Sequence, residues 1–113
     1  MIYILDITIF RESLFRMRQL DRIKQMRSKI QEVARKHNAS RIFLFGSCAR
    51  GEETSESDID FLADFNENAS LFDQVGLQLE LSDSLDCKVD VIPLTSLDDP
   101  VFGPKAKKDM VLL

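Results

Sequence analysis

The 113-residue sequence has few of the residues that mark several protein classes: no Trp, one Tyr, one His, two Cys, three Pro and four Gly. Cys48 and Cys87 are too few for a disulfide framework or a four-ligand zinc site. One disulfide bridge remains an alternative, but reduced thiols in a cytosolic protein are the simpler interpretation. The low Gly and Pro content, with 30% charged residues, argues against a collagen-like or low-complexity disordered chain.

Long hydrophobic runs are also missing. No apolar stretch approaches the roughly 20 residues that cross a bilayer, so the sequence predicts no membrane span. Met1–Phe10 contains Asp6 and lacks both a basic start and a small-residue cleavage site, which argues against a secretory signal. We therefore expect a cytoplasmic protein, and the length suits one domain over residues 1–113.

Charge is divided unevenly along the chain. Residues 1–45 hold 10 Lys/Arg and 4 Asp/Glu, a balance of +6, whereas residues 46–113 hold 5 and 15, a balance of −10. Such a split can mark a nucleic-acid-binding arm. Here the basic residues are dispersed between apolar ones, which favours an amphipathic helix with a basic solvent face. Because this helix has no aromatic residue after Phe15 to stack on bases, nucleic acid is a disfavoured partner.

Hydrophobic periodicity predicts two long helices. Apolar residues recur every three or four positions from about Phe15 to Lys36, and His37-Asn38 is expected to end that helix. Ser70 with Asp73 three residues later is an N-cap signature, and the helix that follows should run to about Leu85. We assign its core-facing stripe to four residues: Leu71, Phe72, Val75 and Leu79.

Three segments rich in β-forming residues are predicted strands: Arg41–Phe45, Asp58–Phe65 and Cys87–Ile92, the last stopped by Pro93. Cys48–Ser57 is small and polar and is predicted to be a turn or loop. Met1–Leu14 fits either a strand or an upstream turn of the first helix, and a short helix is expected near Lys105–Asp109.

Three aspartates in the predicted strands are the candidate catalytic and metal-binding residues. Asp58 and Asp60 are two residues apart and so point to one face, where adjacent carboxylates repel each other unless a cation separates them. Asp90 stands between two valines, where an unpaired charge is costly to bury. If the third strand lies beside the second, with Asp90 on the same face, three oxygen ligands converge in a set that suits Mg²⁺ or Mn²⁺.

Gly46-Ser47 follows the first strand and could bind a phosphate. Glycine allows close backbone approach, and backbone N–H groups and the Ser47 hydroxyl can donate hydrogen bonds to phosphate oxygens. Taken alone, a Gly-Ser pair is usually a turn, and an Asp-x-Asp is commonly a solvated strand end. Their joint occurrence, with ten residues between Ser47 and Asp58, favours transfer of a phosphoryl or nucleotidyl group assisted by metal ions.

This spacing resembles the signature of the DNA polymerase β-like nucleotidyltransferase superfamily. The string L-F-G-S-C-A-R-G-E at 44–52, with S-D-I-D at 57–60 and K-V-D-V-I at 88–92, is similar to the minimal nucleotidyltransferases. The resemblance implies an α+β fold with a small mixed β-sheet and helices packed mainly on one face. Residues 1–16 precede the usual family start, which makes Met17 a candidate initiator, and Gly103-Pro104 interrupts a tail that relatives form as a continuous helix.

The resemblance also implies roles for individual residues. Gly46 and Ser47 would hold the triphosphate of ATP or another nucleoside triphosphate, and Asp58 and Asp60 would bind two Mg²⁺ ions, with Mn²⁺ as the alternative. Asp90 would complete the metal site or help to deprotonate the acceptor hydroxyl. Arg50 belongs to the family string as a nucleotide-binding residue, with pairing to Glu52 or Glu53 as the alternative.

Stand-alone domains of this kind resemble antitoxins of toxin–antitoxin pairs. The implied partner is an all-helical HEPN-type ribonuclease toxin, and the implied reaction transfers AMP from ATP to a tyrosine hydroxyl of that toxin. Two alternatives remain: an antitoxin that neutralises by binding alone, and a nucleotidyltransferase that modifies an aminoglycoside-like small molecule.

Overall fold

The computed structural model describes residues 19–52 and 58–113 of the chain. Its elements, in order, are α1 (Gln19–Gln25), α2 (Arg27–Lys36), β1 (Ala39–Phe45), α3 (Gly46–Arg50), β2 (Ile59–Phe65), α4 (Leu71–Leu85), β3 (Val89–Pro93), a 3₁₀ helix (Leu94–Asp98), α5 (Phe102–Asp109) and β4 (Val111–Leu112). The expectations for Met1–Leu14 and the candidate initiator Met17 lie outside the described residues, as does residue range 53–57 of the predicted loop.

The strands form one mixed sheet with the order β3-β2-β1-β4. β1 pairs antiparallel with both β2 and β4, whereas β2 and β3 are parallel. Parallel neighbours need a crossover, and α4 supplies it between β2 and β3. The mixed sheet and its helices confirm the predicted α+β class.

The hydrophobic core lies between one face of the sheet and helices α2 and α4. The sheet contributes alternate residues, as a half-buried strand requires. These residues are fully or almost fully buried: Ile42, Leu44, Ile59, Phe61, Ala63, Val89 and Val91 from the strands, with Ile30, Val33, Ala34, Leu77, Leu81 and Leu85 from the two helices. Asp60, Leu62 and Asp64 alternate with the core set and so project from the opposite face. The 3₁₀ helix also contacts β2.

The stripe assigned to the core on α4 is wrong. Leu71, Phe72, Val75 and Leu79 are 72%, 88%, 49% and 65% exposed, and α4 instead buries Leu77, Leu81 and Leu85. Both sets have helical spacing, because α4 is apolar on two faces, and periodicity alone does not reveal which face meets the sheet. The helix bounds were predicted correctly: the Ser70 N–H donates to Asp73 Oδ2 at 2.9 Å, and α4 ends at Leu85.

The first predicted helix is interrupted at Met26, whose backbone N–H is 3.1 Å from the carbonyl oxygens of both Arg22 and Ile23. This tightened turn separates α1 from α2. The predicted end is confirmed, because α2 stops at Lys36 and Asn38 adopts a left-handed φ of 63°. The loop prediction was wrong for residues 48–50, which belong to α3.

The C-terminal tail contains more structure than its sequence pattern indicated. α5 begins at Phe102, three residues before the predicted Lys105. Pro104 fits the first turn, where a backbone N–H needs no helical partner, and a Cβ on Gly103 would collide with the Leu97 carbonyl oxygen. The 3₁₀ helix and β4 were not predicted.

Within the two described ranges, no helix has the length and apolar character needed to cross a membrane.

Candidate active site

Strand register places Asp60 at the centre of the candidate site. Its partner in the antiparallel β1 is Phe45, and its partner in the parallel β3 is Asp90. Register partners project from the same face of a sheet. The predicted arrangement of the second and third strands is therefore present, with Asp60 and Asp90 side by side. Asp58 immediately precedes β2.

The Gly46-Ser47 turn meets Asp60 directly. Gly46 has a φ of 76°, and a Cβ built on it would lie 2.8 Å from Asp60 Oδ2. An L-residue would be strained at this φ and would press on the carboxylate. The two halves of the sequence motif, ten residues apart along the chain, are thus in contact through the Gly46 Cα and the Asp60 carboxylate.

The electrostatic environment of Asp60 is unfavourable for its negative charge. Partial burial raises the pKa of the Asp60 carboxyl above its usual value, and the neighbouring charges of Asp90 and Asp58 raise it further. Asp58 itself forms an ion pair with Lys88, whose Nζ is 3.5 Å from Asp58 Oδ2. This site therefore favours a positive charge next to Asp60.

Over residues 19–52 and 58–113, no three His, Cys, Asp or Glu side chains stand in positions that could hold a metal ion. The register still places two carboxylates side by side, and mutual repulsion disfavours a closer approach without a cation. Carboxylate oxygens are the donors that Mg²⁺ prefers, so the residue types fit that ion, and metal binding remains a prediction.

Arg50, at the end of α3, donates to two carboxylates. Its Nε is 2.9 Å from Glu52 Oε2 and its NH1 is 2.7 Å from Asp109 Oδ2 at the end of α5. Glu52, followed by Asp109, raises the pKa of the Arg50 guanidinium. The alternative of pairing with Glu52 is thus observed, and a nucleotide-binding role for Arg50 remains a prediction.

Two supporting residues were not predicted from the sequence. Asp109 holds Arg50 from 59 positions away along the chain. The Phe102 ring meets Phe45 edge to face at 5.6 Å, which fixes the end of β1 just before Gly46. Neither residue lies in a recognisable motif, so only the folded tail reveals them. Cys48 is fully buried in the core beneath the site.

The carboxylates of Asp58, Asp60 and Asp90 do not line either of two surface pockets, whose volumes are about 230 and 330 Å³. The first pocket is lined by α2, β1 and the C-terminal residues, and the second by the far ends of β2 and β3. A phosphate group can be bound outside such pockets, at an open surface, by backbone groups and cations.

Residues 28–113 match the family described as polymerase beta, nucleotidyltransferase. The chain belongs to the polymerase beta nucleotidyltransferase family. A family relative from Methanocaldococcus jannaschii, named as a protein adenylyltransferase, is 37% identical over 98 residues, covering 86% of this chain and all of the relative. The protein adenylyltransferase MntA of Thermococcus cleftensis is 36% identical over 67 residues, covering 59% of this chain and 68% of MntA.

Solved structures of family members agree with this fold. A chain described as a minimal nucleotidyltransferase superposes with a TM-score of 0.74 at 31% identity, covering 87% of this chain and 98% of that one. A chain of the toxin–antitoxin complex MntA-HpeT superposes with a TM-score of 0.62 at 27% identity, covering 77% of this chain and 70% of that one. The resemblance drawn from the sequence motifs is confirmed, and the chain is a nucleotidyltransferase by family.

Proposed function

We propose that this chain is a cytoplasmic, metal-dependent protein adenylyltransferase that acts as an antitoxin. Its substrates would be ATP and a tyrosine hydroxyl of a cognate HEPN-type toxin, with which it would form a hetero-oligomer. The contact of Asp60 with Gly46 on one side and its pairing with Asp90 on the other carries this proposal. The names of the Methanocaldococcus and Thermococcus relatives, and the likeness to a chain of the MntA-HpeT complex, support it.

Asp58, Asp60 and Asp90 are the residues that would hold two Mg²⁺ ions, with Mn²⁺ as the alternative. Such cations, when bound, neutralise negative charge on the triphosphate and on the departing pyrophosphate. Gly46 and Ser47 would donate to the triphosphate through backbone N–H groups and the Ser47 hydroxyl. Arg50 would contribute a further contact on exchanging Glu52 or Asp109 for a phosphate oxygen.

In the proposed reaction the tyrosine oxygen forms a bond to the α-phosphorus of ATP. The bond from that phosphorus to the oxygen bridging to the β-phosphate breaks, and pyrophosphate leaves with the electron pair. The hydroxyl proton passes to a nearby carboxylate, for which Asp90 is our candidate, since it lies beside Asp60.

The test is transfer of label from [α-³²P]ATP to the HEPN-type protein encoded beside this chain. Asp60→Asn and Asp90→Asn should each reduce transfer by at least about 100-fold, because each removes a charge that the reaction needs. Asp98→Asn is the control. It alters an exposed aspartate of the 3₁₀ helix that lines neither of the two pockets, and it should leave transfer unchanged.

Absence of label on the partner with the wild-type chain would contradict the proposal. Full neutralisation of the toxin by the Asp60→Asn variant would instead favour an antitoxin that works by binding alone.

A further inference from the structure

Helix α4 presents an apolar surface to solvent. We call Leu71, Phe72, Val75 and Leu79 the α4 stripe. Leu71, Val75 and Leu79 are spaced by four residues and so lie in one row, and Phe72 lies beside them. Exposed large apolar side chains are normal when scattered singly, but a contiguous set indicates an interaction surface.

The stripe cannot turn inward, because α4 is fixed on its other side. Leu77, Leu81 and Leu85 on that side are fully buried in the core. The Gln74 side-chain amide donates to the Val91 carbonyl at 2.9 Å, and the Val91 N–H donates to Gln78 Oε1 at 3.1 Å. Since β3 is at the edge of the sheet that the described residues form, these bonds also satisfy backbone groups of Val91 that lack a partner strand in that sheet.

The stripe continues into the pocket of about 330 Å³. Leu71 and Gln74 form its helical wall, and Phe65, Pro93 and Leu94 are among the residues opposite. Buried anchor side chains in such pockets supply much of the binding energy of protein interfaces. A partner lying on the stripe can therefore place one apolar side chain in this pocket.

The segment of the chain that carries the stripe is acidic. Residues 66–87 contain five Asp or Glu and no Lys or Arg. Asp83 is exposed and extends the row of Leu71, Val75 and Leu79 by one further turn. Glu80 is turned toward α2, where it pairs with Lys36 at 3.0 Å. Charge complementarity at the rim selects a partner whose apolar surface is bordered by Lys or Arg side chains.

The position of the stripe suits an accessory site for a protein substrate. The pocket lies at the Phe65 end of β2, about 16 Å from Asp60 at 3.3 Å per residue. From there α4 runs back toward the start of β3, the strand that carries Asp90. The stripe lies on the side of α4 away from the core, whereas Asp60 and Asp90 alternate with the core residues and project from the opposite face of the sheet. Because β3 is at the edge of the described sheet, a protein on the stripe can present a hydroxyl group to the carboxylates by extending around that edge.

We propose that the α4 stripe and its adjoining pocket are the docking surface for the protein that accepts the nucleotide. The docking element is an apolar segment bordered by basic side chains. This inference rests on the proposed function and adds where the acceptor is bound.

The first experiment replaces exposed apolar residues on and outside the stripe. Leu79→Ser removes one of the four apolar side chains of the stripe, and the double variant Leu79→Ser with Phe72→Ser removes two. Val101→Ser is the matched control, because Val101 is 68% exposed, close to the 65% of Leu79, and lies outside α4. Calorimetry measures the Kd for the HEPN-type protein encoded beside this chain, steady-state labelling measures KM and kcat, and a separate titration measures the Kd for ATP.

We expect the double variant to weaken binding and raise the KM for the acceptor by about tenfold or more, with kcat and the Kd for ATP unchanged. Val101→Ser should match the wild type. Wild-type binding and KM in the double variant would overturn the docking surface while leaving the enzyme activity intact. Binding by the wild-type chain without label transfer would refute the proposed function and leave the docking surface standing.

The second experiment identifies the occupant directly. Benzoylphenylalanine placed at position 72 of the full-length chain should crosslink under light to a Lys- or Arg-flanked apolar segment of the HEPN-type protein. A crosslink to residues 1–18 of the same chain, or to a second copy of it, would overturn the proposal.

Discussion

Gly46 meets two requirements at a single Cα. Its φ of 76° lies in the region that L-residues rarely adopt, and the carboxylate of Asp60 occupies the space that a Cβ would need. The same residue therefore allows the turn after β1 and sets the position of an aspartate on the neighbouring strand. The backbone geometry of the turn is therefore coupled to the position of the Asp60 carboxylate.

Gly46→Ala should lower both the stability of the fold and the transfer of label. The left-handed φ costs an L-residue about 1–2 kcal/mol, and the added methyl displaces the Asp60 carboxylate. A shift of about 1 Å in a reacting group can cost 100-fold in rate, so label transfer should fall by about that factor. Gly51→Ala, at a φ of 73°, imposes similar backbone strain without the contact to Asp60 and should keep most of the transfer activity. Equal loss in both variants would contradict this account.

At the scale of elements, α4 shows that the sequence predicts the bounds of a helix better than the face that it buries. The Ser70 and Asp73 signature and the end at Leu85 were predicted correctly, because capping depends on residues within one turn. The choice between Leu79 and Leu81 as the core residue was wrong, because both faces of α4 are apolar. The sheet decides between them, because Gln74 donates to the Val91 carbonyl and the Val91 N–H donates to Gln78.

Alanine substitution at two leucines of α4 should show this difference. Leu81 is fully buried and Leu79 is 65% exposed. Leu81→Ala should cost about 2–5 kcal/mol of unfolding free energy, because it leaves a cavity in the core, whereas Leu79→Ala should stay within about 0.5 kcal/mol. Urea unfolding measures both values. A larger loss at Leu79 would mean that α4 sits on the sheet by its other face.

At the scale of the whole molecule, polar contacts join elements that are distant in sequence. Glu80 of α4 accepts from His37 at 2.9 Å and pairs with Lys36 at 3.0 Å, both at the end of α2. Arg50 joins α3 to α5 through Asp109. No local pattern encodes these contacts, which is why the sequence predicted the helices and the aspartates but not the links between them.

The Glu80 cluster should contribute to acid sensitivity. The hydrogen bond from His37, and then the pair with Lys36, lower the pKa of the Glu80 carboxyl below its usual 4.5. A carboxyl whose pKa is lowered by folding stabilises the native state above its unfolded pKa, and that stability is lost as the pH falls through the folded pKa. Glu80→Gln should therefore lower the Tm at pH 7 and differ less from the wild type at pH 3. Glu67→Gln, in an exposed turn, is the control, and an equal effect of the two substitutions at pH 7 would contradict the assignment.

The parallel pairing of β2 with β3 also sets when Asp60 and Asp90 can come together during synthesis. Thirty positions separate Asp60 from Asp90, and the whole of α4 must be made between them. At a synthesis rate of about 5–20 residues per second, the ribosome produces the second aspartate roughly 2 to 6 seconds after the first. A nascent chain that stops before β3 lacks the sheet partner of Asp60, so the two aspartates come side by side only after α4 has been made.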